Sequence, residues 1–150
     1  MRLRRDYSVP MNVETALAIA ELINDRNKLT KKYTAEKVLE KAENYICRFA
    51  SDGHLLGVVE AKRVQWYQCE INHLSVRADA EGAGIGSWLL KSAEARAVEL
   101  RTRVAQCTIR VGNEPSEGLF RKFGYLPTVS FFNVRSGNDV RVYQKALVTK

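Results

Sequence analysis

Residues 79–97, DAEGAGIGSWLLKSAEARA, constrain this chain more than any other stretch. Gly82, Gly84 and Gly86 open an amphipathic helix directly behind an apolar strand, EINHLSV, at residues 70–76. A strand, a glycine loop and a helix N-terminus together make a cradle for a phosphate ester. Backbone N–H groups without intrahelical partners point at the anion, and the helix dipole favours negative charge there. Side chains in the loop would hold the anion away from those amides, and any positive φ is cheap only for glycine.

The spacing excludes two common phosphate binders. The loop lacks the G-x-x-x-x-G-K-S/T pattern of a P-loop. Its G-x-G-x-G spacing also differs from the G-x-G-x-x-G of a dinucleotide fold, where the loop belongs to the first βα unit. Here roughly half the chain comes first, and the expected ribose-binding acid falls where the helix is ending, at Glu99 and Arg101.

A second segment narrows the reading. Residues 104–111, VAQCTIRV, read as a short β-branched strand, followed by NEPSEGLFRKFGY at residues 113–125. The succession strand, glycine loop, helix, strand, Asn, short helix and Gly-Tyr resembles the GNAT-superfamily N-acetyltransferases. That family usually carries Q/R-x-x-G-x-G/A in the loop, matched here by Glu81, Gly84 and Gly86. It usually carries N-x-x-A-x-x-L-Y-x-K-x-G-F later, matched by Asn113, Ser116, Leu119, Phe120, Lys122, Gly124 and Tyr125. The strong likeness covers residues 70–125.

The resemblance implies acetyl-CoA as co-substrate, no metal, and transfer of acetyl directly to a primary amine in a ternary complex. It places the acetyl carbonyl and pantetheine on backbone groups of Leu74, Ser75 and Val76. It places the pyrophosphate on the amides of Gly82, Ala83, Gly84, Ile85, Gly86 and Ser87, with Glu81 at the loop entrance. Asn113, Ser116 and Phe120 would complete the cofactor site, Asn113 bonding the pantetheine. Glu81 replaces the usual Gln or Arg; beside a phosphate it would repel by roughly 1–4 kcal/mol, so it is expected to face solvent. Phe120 stands where many members carry a proton-donating Tyr. Either Tyr125, Tyr67 or Tyr143 serves instead, or the thiolate, with a pKa of about 8.5, leaves unaided.

Glu70 is the expected catalytic base, at a strand position where many members carry an acid. Alternation puts Glu70, Asn72, Leu74 and Val76 on one face and His73 on the other. An ammonium of pKa about 10.4 holds its proton at pH 7, and an ordinary carboxylate is a poor base for it, so a raised pKa or a water relay is needed.

The flanks read as one α/β domain over residues 1–150, a mixed, mostly antiparallel central sheet flanked by helices. Residues 13–26 form an amphipathic helix with a stripe of Ala16, Leu17, Ala20 and Ile23; Thr34 caps a second helix ending near Glu43. Strands are expected at residues 45–50, 55–64, 66–76, 128–134 and 140–148, with a hairpin turn at 136–139. The glycine-loop helix spans residues 84–101, with Ile85, Leu89, Ala93, Ala97 and Leu100 against the sheet.

The net charge is +7 and the pI near 9.5, which favours anionic partners such as CoA. The basic patches at residues 1–5 and 26–32 do not interleave with aromatics, so a nucleic-acid partner rests on charge alone. Three scattered cysteines, Cys47, Cys69 and Cys107, and two histidines, His54 and His73, make no metal-ligand spacing. No long apolar run or signal segment is found, so a cytoplasmic location away from membranes is expected. Edge strands near the C-terminus offer a way to pair two chains. The rival reading is a non-catalytic acyl-CoA-binding or regulatory domain; a nucleic-acid-directed acetyltransferase or binder is a further one.

Overall fold

The computed structural model describes residues 11–27 and 29–147; the basic start at residues 1–5, Lys28 and Val148 lie outside them. Helix α1 (Val13–Arg26) begins where the Asn12 side chain accepts from Thr15 N at 2.8 Å. Helix α2 (Ala35–Glu40) begins at Thr34, whose hydroxyl accepts from Lys37 N at 3.2 Å, so the expected cap is present. The helix is shorter than its pattern, because Ala42–Asn44 tightens into a 3₁₀ turn.

Strands β1 (Tyr45–Phe49), β2 (Leu55–Gln65) and β3 (Gln68–Val76) form an antiparallel meander. Helix α3 (Ile85–Glu99) then crosses to β4 (Val104–Arg110), parallel to β3. Helix α4 (Glu114–Lys122) and the hairpin β5 (Leu126–Asn133) and β6 (Asn138–Ala146) complete a six-stranded sheet ordered β1-β2-β3-β4-β6-β5. This is the mixed, mostly antiparallel α/β sheet expected from the pattern, with β3-α3-β4 at its centre.

Two apolar layers cover the sheet. Ile85, Leu89, Leu90, Ala93 and Ala97 of α3 pack with Val59, Ala61, Cys69, Ile71, Cys107 and Phe120. Ala16, Ile19, Ala20 and Ile23 of α1 pack with Val38, Tyr45 and Val58 on the other face. Leu17, expected in the buried stripe of α1, is 48% exposed; Ile19 and Leu22 take that place.

One irregularity positions everything that follows. Val58 pairs with Ser75, but Glu60 pairs with Asn72, so Val59 faces two residues, His73 and Leu74. His73 adopts φ 53°, uncommon for a residue with a Cβ, and the ladder bulges there. The bulge reverses the alternation. Leu74 and Val76 pack against the α3 layer, whereas Glu70 and Asn72 lie on the α1–α2 face. His73 joins the latter, its Nε2 2.9 Å from the Tyr33 hydroxyl. The single face expected for Glu70, Asn72, Leu74 and Val76, with His73 opposite, is therefore corrected.

Candidate active site

The parallel ladder between β3 and β4 has three rungs and ends at Glu70 opposite Gln106. Beyond it the strands separate, and a cleft of about 490 Å³ opens between the end of β3 and the start of α4. Leu74, Ser75 and Val76 form one wall, Asn113, Pro115, Ser116 and Leu119 the other. The glycine loop and the first turn of α3 close one end, with Glu81, Gly82, Gly84, Ile85, Gly86 and Ser87 on its surface. Most residues expected to hold the cofactor are thus brought together, although they come from three separate stretches of chain.

The loop geometry fits a diphosphate. Gly82 and Gly84 have φ of +83° and +79°, and a Cβ at either would project into open space. Gly86 sits closer to protein, its virtual Cβ 3.5 Å from Leu119 and 3.9 Å from Leu74 and Val76. The first backbone bond of α3 runs from Trp88 N to Gly84 O. The amides of Ile85, Gly86 and Ser87 therefore precede the helical ladder, and the dipole's positive end faces the cleft. Asn113 begins α4 without a side-chain capping bond. Its amide is thus left for the cleft, which separates it from an ordinary helix cap.

Other expectations change. Glu81 is half-exposed as expected, yet its carboxylate pairs with the Arg26 guanidinium, and both line the cleft. Ala83 belongs to the loop but is not part of the cleft lining. Phe120 is 4% exposed and packs edge-on against Tyr125, with ring centroids 4.9 Å apart. It supports the cleft from the core and does not line it.

Two of the three tyrosines considered as acids are bonded elsewhere, and the third lies away from the cleft. Tyr125 donates to Glu94 at 3.3 Å, and Tyr143 donates to Glu117 at 2.8 Å. Tyr67 lies in the β2–β3 turn, at the far end of β3, where its carbonyl accepts from Arg103 N. Burial pushes the Cys69 thiol up to about 11 and raises Cys107 further, so both are packed, inert thiols. No cluster of metal-ligating side chains occurs among the described residues.

Glu70 sits on the last rung before the split, with Gln106 Nε2 donating to its Oε2 at 3.2 Å. Gln106 Oε1 in turn accepts from Gln144 Nε2 at 2.6 Å. Burial raises the Glu70 pKa, partly opposed by hydrogen bonds from Gln106 and Gln68. Burial lowers His73, so a neutral imidazole is favoured at the bulge.

Sequence reasoning missed four residues here. Arg26 and Asn27 reach the cleft from the end of α1, Asn27 Nδ2 donating to Ser75 Oγ at 2.9 Å. On the other side of the bulge, Glu60 is 6% exposed and accepts from Asn72 Nδ2 at 3.2 Å, while Tyr33 pairs with His73. Only the odd position of a glutamate between Val59 and Ala61 hinted at Glu60.

A profile of the Acetyltransferase (GNAT) family matches residues 13–125. The chain belongs to this family. A Bacillus subtilis (strain 168) protein, named provisionally as a ribosomal protein bS18-alanine N-acetyltransferase, is 29% identical over 98 residues. The match takes in 65% of this chain and 64% of that relative's length. Among solved structures, yncA of Salmonella typhimurium, described with its cofactor acetyl-CoA, superposes with TM-score 0.79 at 16% identity. The alignment covers 95% of this chain and 94% of yncA. The ribosomal-protein-alanine N-acetyltransferase of Brucella melitensis gives TM-score 0.78 at 20% identity, covering 93% and 98%. The GNAT fold is therefore shared across nearly the whole of these chains.

Proposed function

We propose that this GNAT protein is an acetyl-CoA-dependent N-acetyltransferase that transfers acetyl directly to a primary amine in a ternary complex. The observation that carries this reading is the cleft at the β3–β4 split, closed by a glycine loop whose open backbone faces the helix α3 N-terminus. Acetyl-CoA, when bound, supplies an activated acetyl thioester. Amides of residues 82–87 would hold its diphosphate, and main-chain groups of Leu74, Ser75 and Val76 with Asn113 and Ser116 would orient its pantetheine arm.

The chain's own chemistry is positioning and proton removal. Glu70 is the proposed base, reached from the acceptor directly or through a water. Its raised pKa brings it closer to the amine's, which lowers the cost of the transfer. Orientation of two substrates across one strand split supplies much of the remaining rate. With Tyr125 and Tyr143 bonded to glutamates and Tyr67 at the far end of β3, none of the three is placed to protonate the leaving thiolate, which would take its proton from water.

The test is calorimetric titration with coenzyme A, followed by steady-state CoA release with a panel of primary amines. Binding with turnover supports the proposal. Absence of binding at millimolar coenzyme overturns it, and binding without turnover for any amine favours a non-catalytic acyl-CoA-binding domain.

A further inference from the structure

On the α1–α2 face, beside the bulge, lies a second cavity of about 330 Å³. Its rim carries Lys37, Lys41 and Lys62 together with one carboxylate, Glu40, and its floor carries Glu60, Asn72 and His73. Lys41, just past α2, and Lys62, on β2, meet side chain to side chain. The Lys41 side chain beside it, with burial, pulls Lys62 below the ordinary lysine range, partly opposed by the Glu60 carboxylate. Neither lysine is ion-paired with a carboxylate among the described residues. Lysines on a solvated helix face spread apart in water. Three lysines from two different elements lining one side of a cavity favour an anion there.

The floor has the opposite sign. Glu60 is buried, bonded by Asn72, and without an ion-pair partner among the described residues. Burial keeps His73 neutral, so it does not cancel that charge. Lys62 stands opposite Glu70 in the β2–β3 register, and Asn72 stands opposite Glu60. A molecule anchored at Lys41 and Lys62 therefore extends along Asn72 and His73 toward the bulge, whose other side, Leu74 and Ser75, lines the coenzyme cleft. The volume suits a small molecule rather than a protein surface.

We infer that the acetyl acceptor is a small amine that also bears a carboxylate or phosphate, which Lys41 and Lys62 hold while its amine faces Glu60. This rests on the acetyltransferase reading and names the substrate class for the same site. Glu60 attracts the ammonium, and the lysine pair selects the anion.

Matched amines test it: β-alanine against propylamine, and O-phosphoethanolamine against ethanolamine, with CoA release and calorimetric binding both measured. The expected result is at least a tenfold preference in kcat/KM for one anionic member, expressed mainly in KM, and binding of that member alone. The pair that responds distinguishes carboxylate from phosphate. Lys62→Met and Lys41→Met are expected to reduce the preference to threefold or less, with coenzyme affinity unchanged. Equal use of the neutral amines, or of an alanine-starting peptide amide without acidic residues, overturns the inference while leaving the acetyltransferase reading intact. A preference that survives both lysine variants overturns it too. Failure to bind coenzyme A overturns both readings.

Discussion

Gln106 donates to Glu70 across the last rung of the parallel β3–β4 ladder, at 3.2 Å. The bond holds the carboxylate at the point where the two strands part. It also competes with burial, which raises the carboxyl pKa, so Glu70 is poised as an acid-sensitive group at the mouth of the split.

Replacing Glu70 with Gln keeps the shape and removes the base. The expected outcome is a loss of about a hundredfold or more in kcat, the scale of a positioned general base, with calorimetric coenzyme affinity unchanged. Glu70 must be ionised to accept a proton. Because its pKa is raised, activity falls as pH drops through a limb lying above that of an exposed glutamate. A kcat/KM–pH profile in which this limb persists in Glu70→Gln would remove the role.

Glu81 and Arg26 neutralise one another at the cleft edge, where both are partly solvated. Glu81→Gln releases the guanidinium and deletes a charge that repels phosphate. Coenzyme should bind about three- to tenfold more tightly, roughly 1 kcal/mol, the upper range for an exposed pair. Arg26→Ala should weaken binding, and the gain from Glu81→Gln should shrink in the double variant and at high salt.

Gly84 adopts φ +79° as the residue preceding α3. An alanine there meets no neighbour, so its structural cost is backbone strain alone, about 1–2 kcal/mol. The melting temperature should fall by several degrees. Coenzyme affinity should fall further than stability, because the new methyl stands in the open space of the loop. Comparing calorimetry with thermal melts separates the two effects.

Gly57 is a packing glycine. A Cβ would lie 2.8 Å from Leu89 Cδ1, 3.0 Å from Ile85 Cγ2 and 3.2 Å from Ser75 O. Gly57→Ala should destabilise by about 1–3 kcal/mol through overpacking. Relief by a companion Leu89→Ala, read in a thermal melt, would show that the clash is the cause.

What could be read along the chain was what depends on near neighbours. The positive-φ glycines at 82 and 84, the Thr34 cap, the β3-α3-β4 order and the Asn113 segment each follow from a few consecutive residues, and each stands in the fold. Family resemblance gathered the cleft from those local pieces.

The tertiary structure decided which side chains share a space. Strand alternation places Glu70 with Leu74 only if the ladder is regular, and the bulge at His73 is set by how β3 pairs with β2, information held in two strands at once. The same pairing buries Glu60 beside Asn72, and α1 carries Arg26 to Glu81, 55 residues away in sequence. A carboxylate's partners and a lysine's neighbours depend on long-range packing, which no local period of two or 3.6 encodes.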